Sequence, residues 1–145
     1  MTMKLRDLMT SPVIRIDPQE SVAVAARTLT HYNIGALPVC GSDGRICGLV
    51  TDRDIVTRCL AAGRQPGATT VQEIMTRSVI AARPDTDAGI AAQVMGKQQI
   101  RRLPVVENEK LCGMVSIGDL ANCDEVAYDA GDALAEISTN VSSRK

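Results

Sequence analysis

The sequence has no tryptophan and no phenylalanine, and its aromatic residues are Tyr32 and Tyr128 alone. Proteins that hold single-stranded nucleic acid stack bases on exposed rings, so that partner is not expected here. A bound base would have to rest on aliphatic side chains and backbone. Histidine occurs once, as His31, which supplies neither a proton-relay pair nor a cluster for structural zinc. No Ser/His/Asp or Cys/His constellation, phosphate-binding P-loop or Gly-rich dinucleotide fingerprint is visible. A non-catalytic role without a metal is therefore the expectation.

The five cysteines, Cys40, Cys47, Cys59, Cys112 and Cys123, are odd in number and form no C-x-x-C pair. They read as reduced and mostly buried, with Cys47 and Cys112 at equivalent core positions and no bridge between Cys40 and Cys47. Charge of one sign is lacking too. With 16 basic and 17 acidic residues, the net charge is -1. That balance gives no electrostatic reason to bind duplex nucleic acid or an anionic membrane. No apolar run approaches a membrane span. The opening Met1-Thr2-Met3-Lys4-Leu5-Arg6-Asp7 is charged at once, so a cytoplasmic location is expected.

What the chain does contain is itself, twice. Met9-Thr10 recurs as Met75-Thr76, Val13-Ile14 as Val79-Ile80, Pro18 as Pro84, and Ala25-Ala26 as Ala91-Ala92. Ile34, Leu37, Pro38 and Val39 recur as Ile100, Leu103, Pro104 and Val105. After a gap of one residue, in a turn where deletion is cheap, Cys47-Gly48, Val50 and Asp54 match Cys112-Gly113, Val115 and Asp119. Internal repetition of this kind fixes the architecture before any local reading.

Each repeat reads as strand, helix, strand, strand, helix. The first strands are placed at Val13 to Ile16 and Val79 to Ala82. Ser21 and Asp87 suit the caps of the helices that follow, and Val22, Ala25, Ala26 and Leu29 share a helix face. Strands are expected at Ala36 to Cys40 and Ile46 to Val50, followed by a helix from Asp52 that stops at Gly63. Ala62 to Ala68 is a linker, and Thr70-Val71-Gln72-Glu73 is a capping-box pattern. Val126, Ala130, Leu134 and Ile137 place a terminal helix, with Ser138 to Lys145 frayed. The expected division is 1–66, 67–124 and a tail 125–145. One repeat of about 60 residues buries too little surface to be stable alone, so the two copies are expected to pack together and leave a cleft between them.

Ile34-Gly35-Ala36-Leu37-Pro38-Val39 followed by Gly48-Leu49-Val50-Thr51-Asp52-Arg53-Asp54 resembles the cystathionine-β-synthase (CBS) domain family. So does the counterpart pair Ile100 to Val105 and Gly113 to Asp119, and Asp-Leu-Met-Thr at 7 to 10 and Glu-Ile-Met-Thr at 73 to 76 resemble the family's opening motif. The short format is similar to bacterial CBS-pair proteins, hypoxia-response types included. The resemblance implies an α+β pair of β-α-β-β-α repeats packed through their sheets, a homodimer built by helix packing, and clefts that take AMP, ADP, ATP, NAD(H) or S-adenosylmethionine, AMP or ATP first. Output would pass to a separate protein effector.

Thr51 and Asp54, like Ser116 and Asp119, stand three apart at a strand-to-helix junction. A carboxylate there can accept from both hydroxyls of a ribose, and the first-turn N–H groups can face a phosphate. The same spacing is also an ordinary helix cap, and capping and binding are compatible. The resemblance implies two residue sets. The first joins Thr51 and Asp54 to Thr76, Ile80 and Ile100, with Arg101 and Arg102 meeting the phosphate through their planar forks. The second joins Ser116 and Asp119 to Thr10, Ile14, Ile34, Gly35 and Ala36, and lacks those cations. Arg101 and Arg102 read equally as solvated strand-end arginines. A ligand-free interaction module remains the alternative. Arg53, Lys97, Lys110 and His31 read as solvated or structural.

Overall fold

The computed structural model describes residues 2–143, and side chains through 139. Two compact units are present. The first-repeat unit comprises Ile14–Val79 with Glu109–Leu111. The second-repeat unit comprises the segment ending at Val13, Ile80–Asn108, and the chain from Cys112 on. The compact units and the sequence repeats are thus cut at different places, because each repeat's leading segment packs in the unit of the other.

In the first-repeat unit, Ser21 caps α1 (Val22–Tyr32) by accepting from the Val24 N–H, and Asn33 closes it in the left-handed conformation. β1 (Ala36–Cys40) and β2 (Ile46–Thr51) form an antiparallel hairpin with Ala36 opposite Thr51 and Pro38 opposite Leu49. β2 runs directly into α2 (Asp52–Asp54), which widens into a π-helical turn over Ile55–Leu60. An i→i−5 bond from the Ala61 N–H to the Val56 carbonyl (2.8 Å) marks that turn, and the bonds from Gly63 N–H to the Leu60 carbonyl (3.1 Å) and from Arg64 N–H to the Cys59 carbonyl (2.9 Å) close the helix end as a Schellman motif. Gly63, at φ +74°, ends it. The core gathers Val22, Leu29, Leu37, Val39, Val50 and Cys59. It is completed by Val71, Ile74 and Met75 of the leading segment of the second repeat, where α3 (Val71–Ile74) lies. Glu73 reaches back to the Thr70 N–H at 2.7 Å, the half of the capping box that holds this segment's turn.

The second-repeat unit follows the same plan. Asp87 caps α4 (Ala88–Gln98) through the Gly89 and Ile90 N–H groups. β3 (Arg102–Glu107) and β4 (Lys110–Ser116) pair and lead to α5 (Ile117–Ala121). The leading segment of the first repeat inserts Leu5, fully buried, into this core beside Ala88, Met95, Leu103 and Leu120. α6 (Ala127–Ser143) lies along α4. It buries Ala130, Ala133 and Ile137, while Leu134, expected on the apolar face, is 41% exposed. With Ala130, Ala133 and Ile137 centring the buried stripe, Leu134 falls at its edge, on the side away from Ala133. The segment from Ser138, expected to fray, continues as helix to Ser143; Arg144 and Lys145 lie outside the described residues.

The expected first strands shrink to single parallel bridges, Ile16 with Val39 and Ala82 with Val105. Ile16 donates to the Pro38 carbonyl (3.0 Å) and accepts from the Cys40 N–H (2.9 Å), and Ala82 repeats the pattern with Pro104 and Val106. Pro18 and Pro84 follow two residues later and end the pairing.

The leading segments seat on glycines. A Cβ at Gly48 would stand 2.6 Å from the Met75 sulfur and 2.9 Å from the Thr76 carbonyl oxygen. That carbonyl is fixed, because Leu49 and Thr76 exchange both backbone bonds (2.9 and 2.8 Å). Met9 covers Gly113 in the same way. Gly48→Ala is accordingly expected to cost about 1–3 kcal/mol by overpacking, read as a lower urea midpoint; an unchanged midpoint would contradict this packing.

Candidate functional site

At the end of β2, Thr51 is extended and Asp54 is one helical turn on, only 7% exposed. The two close a reciprocal capping box. The Asp54 N–H donates to Thr51 Oγ1 (3.0 Å), and the Thr51 N–H donates to Asp54 Oδ2 (3.0 Å). A carboxylate has about four lone-pair sites, so the box leaves acceptor capacity on both oxygens. The Thr76 hydroxyl stands 3.3 Å from Oδ2 and 3.4 Å from Oδ1. Arg58, one turn further along, lies with its Nε 3.8 Å from Oδ1. Its Nη1 donates to the Ile74 (3.3 Å) and Met75 (3.2 Å) carbonyls.

The second-repeat unit repeats the box. Asp119 N–H donates to Ser116 Oγ (3.0 Å), and Ser116 N–H donates to Asp119 Oδ2 (2.8 Å). Here the carboxylate is half-buried. Thr10 is exposed and its backbone pairs with Met114 (2.8 and 3.2 Å), the position equivalent to Leu49. Among the described residues Thr10 makes no side-chain hydrogen bond to Asp119. Cys123 occupies the place of Arg58.

Of the first expected set, Thr51, Asp54 and Thr76 are brought together in the first-repeat unit, while Ile80, Ile100, Arg101 and Arg102 belong to the second-repeat unit. Ile80 and Ile100 are half-buried against that unit's core. The Arg101 carbonyl accepts from the Ile117 N–H (2.9 Å), so Arg101, just before β3, and Arg102, its first residue, stand beside the start of α5. Arg101 is exposed and Arg102 half-buried, and neither forms an ion pair among the described residues. Of the second set, Ser116, Asp119 and Thr10 share the second-repeat unit; Ile14, Ile34, Gly35 and Ala36 belong to the other. There Ala36 is opposite Thr51, the Gly35 carbonyl accepts from the Asp52 N–H (3.2 Å), Ile34 packs on the core, and Ile14 is exposed.

Two expectations for the cysteines need correction. Cys47 is exposed and Cys112 half-buried, since Gly48 and Val50, not Cys47, take the inward positions of β2. Both thiols contact strand carbonyls, Cys47 that of Val39 and Cys112 that of Val105 (3.4 Å each). Desolvation raises the pKa of Cys40, Cys47 and Cys112 above the ordinary thiol value. The Glu73 carboxyl is shifted down by the Thr70 N–H, the Thr70 hydroxyl and Arg64. Arg53, Lys97, Lys110 and His31 are exposed, with His31 edge-on to Tyr32. Sequence reasoning missed Arg58, whose only signal was a basic residue four after Asp54.

The family model for the CBS domain matches residues 5–61 and 71–125. CBS domain-containing protein YhcV of Bacillus subtilis is 39% identical over 134 residues, covering 92% of this chain and 94% of that protein. Hypoxic response protein 1 of Mycobacterium tuberculosis is 37% identical over 116 residues, covering 80% and 81%. The crystal structure of Hypoxic Response Protein I with two coordinated zinc ions superposes with a TM-score of 0.77 at 35% identity, over 82% of this chain and 97% of that one. The CBS domain pair of protein MJ0100, in complex with 5′-methylthioadenosine and S-adenosyl-L-methionine, gives 0.76 at 31% identity, over 83% and 94%.

Because Asp54 satisfies the Thr51 N–H, Asp54→Ala is expected to destabilise the protein by about 1–2 kcal/mol by leaving that donor unpaired. Asp54→Asn keeps an acceptor and should cost less. Chemical denaturation of the two variants checks the order, and equal losses would contradict it.

Proposed function

The chain belongs to the CBS domain family, and on that premise we propose that it is a non-catalytic regulatory module that binds an adenosine-containing ligand. AMP or ATP is the first choice, ahead of ADP, NAD(H) and S-adenosylmethionine. The carrying observation is the recurrence of one hydroxyl–carboxylate box, Thr51–Asp54 and Ser116–Asp119, at the same strand-to-helix junction of both repeats. In this reading each aspartate accepts from ribose hydroxyls with the lone pairs that its box leaves open. Arg101 and Arg102 are the proposed phosphate partners, and the half-buried Ile80 and Ile100, with Ile14 and Ile34, are the proposed aliphatic seats for the base. The adenosyl ligands of the MJ0100 pair support the ligand class.

A ligand acts only through differential affinity for two states. The proposed states are two arrangements of a cytoplasmic homodimer, read by a separate protein effector. The exposed Val56 and Leu60, each 54% accessible and one turn apart beside α2, support a face of that kind. They also support the second reading, a homodimeric interaction module that needs no ligand.

Thermal melts separate the two. A ligand at a hundredfold excess over its Kd adds roughly 2.7 kcal/mol, so AMP or ATP should raise the Tm of the wild type and raise that of Asp54→Asn less. No shift with any of the five ligands would leave the interaction module standing. Val56→Glu with Leu60→Glu should yield monomers by light scattering; an unchanged mass would remove this face from the dimer.

A further inference from the structure

Resting on the ligand reading above, we infer that Arg58 is the positioning residue that makes the Asp54 site the stronger of the two. Its guanidinium is held by two carbonyls, those of Ile74 and Met75 (3.3 and 3.2 Å), which immediately precede Thr76. That grip leaves Nε 3.8 Å from Asp54 Oδ1, too far for a hydrogen bond but close enough for charge to act. The cation therefore stands beside the carboxylate without occupying its lone pairs.

The same residue ties the second repeat's leading segment to the helix that carries Asp54. Thr76 is fixed on its other side by the two backbone bonds to Leu49, so its hydroxyl is held at the carboxylate from two directions. Together Asp54, Thr76, the Met75 carbonyl and Arg58 close a polar ring. The π-helical turn over Ile55–Leu60 carries Arg58 over that ring. A planar fork suits the task, because it donates in several fixed directions at once.

The other repeat lacks this ring. Cys123 replaces Arg58, and a thiol is a weak, short donor. Thr10 is exposed and Asp119 only half-buried. An acceptor whose partners are already in place loses less freedom on binding, so the ribose should be held more tightly at Asp54.

Calorimetric titration with AMP and with 2′,3′-dideoxy-AMP tests this, because only the first presents the ribose hydroxyls. Wild type should bind AMP more tightly than the dideoxy analogue. Arg58→Ala should weaken AMP by about tenfold, close to 1.4 kcal/mol, and leave the analogue where it was. Arg58→Lys, which keeps the charge without the fork, should fall between and serves if the alanine variant fails to fold. Equal weakening of both ligands would make Arg58 merely structural, and no weakening would also overturn the inference while the ligand reading stood. A wild type that binds neither ligand would sink both.

Discussion

The packing of a methionine–threonine segment on a strand glycine is the constraint on which the rest depends. Gly48 lets Met75 and the Thr76 backbone approach β2 closely, and the backbone exchange with Leu49 then sets where the Thr76 hydroxyl stands. Gly113 receives Met9 in the same manner. Each core is closed by a segment from the other repeat: Val71, Ile74 and Met75 in one, Leu5 in the other. Neither repeat of the sequence therefore carries a complete core of its own. That is the structural form of the size argument, in which a unit of about 60 residues buries too little surface.

The two copies of one motif have diverged in surroundings more than in residues. Both boxes share the serine or threonine, the aspartate and the bond pattern. Their neighbours differ: Asp54 is buried beside Arg58 and Thr76, whereas Asp119 is half-exposed with Cys123 one turn on. Local hydrogen bonds thus specify the fold in both halves, and side chains outside the box set what the carboxylate can do.

Much of this was legible because it is local. Ser21 and Asp87 cap as their types suggest, the β1–β2 hairpin falls where its turn residues place it, and each box follows from a hydroxyl three before an acid. The features that were not legible are long-range or cooperative. Nothing in Leu5 or Met9 announces that they pack in the other repeat's unit. The strands at Val13 and Val79 looked regular, but each forms one bridge. Cys47 alternates outward because a glycine takes the inward position beside it. Arg58 reads in sequence as a common i,i+4 partner of Asp54; its carbonyl contacts depend on a segment sixteen residues away.

A crystal structure of the protein grown with saturating AMP tests the central claim most directly. The account predicts a ribose whose hydroxyls lie within hydrogen-bond distance of the Asp54 carboxylate, with the Thr51–Asp54 box intact. AMP bound elsewhere with that carboxylate untouched, or absent at saturation, would contradict it.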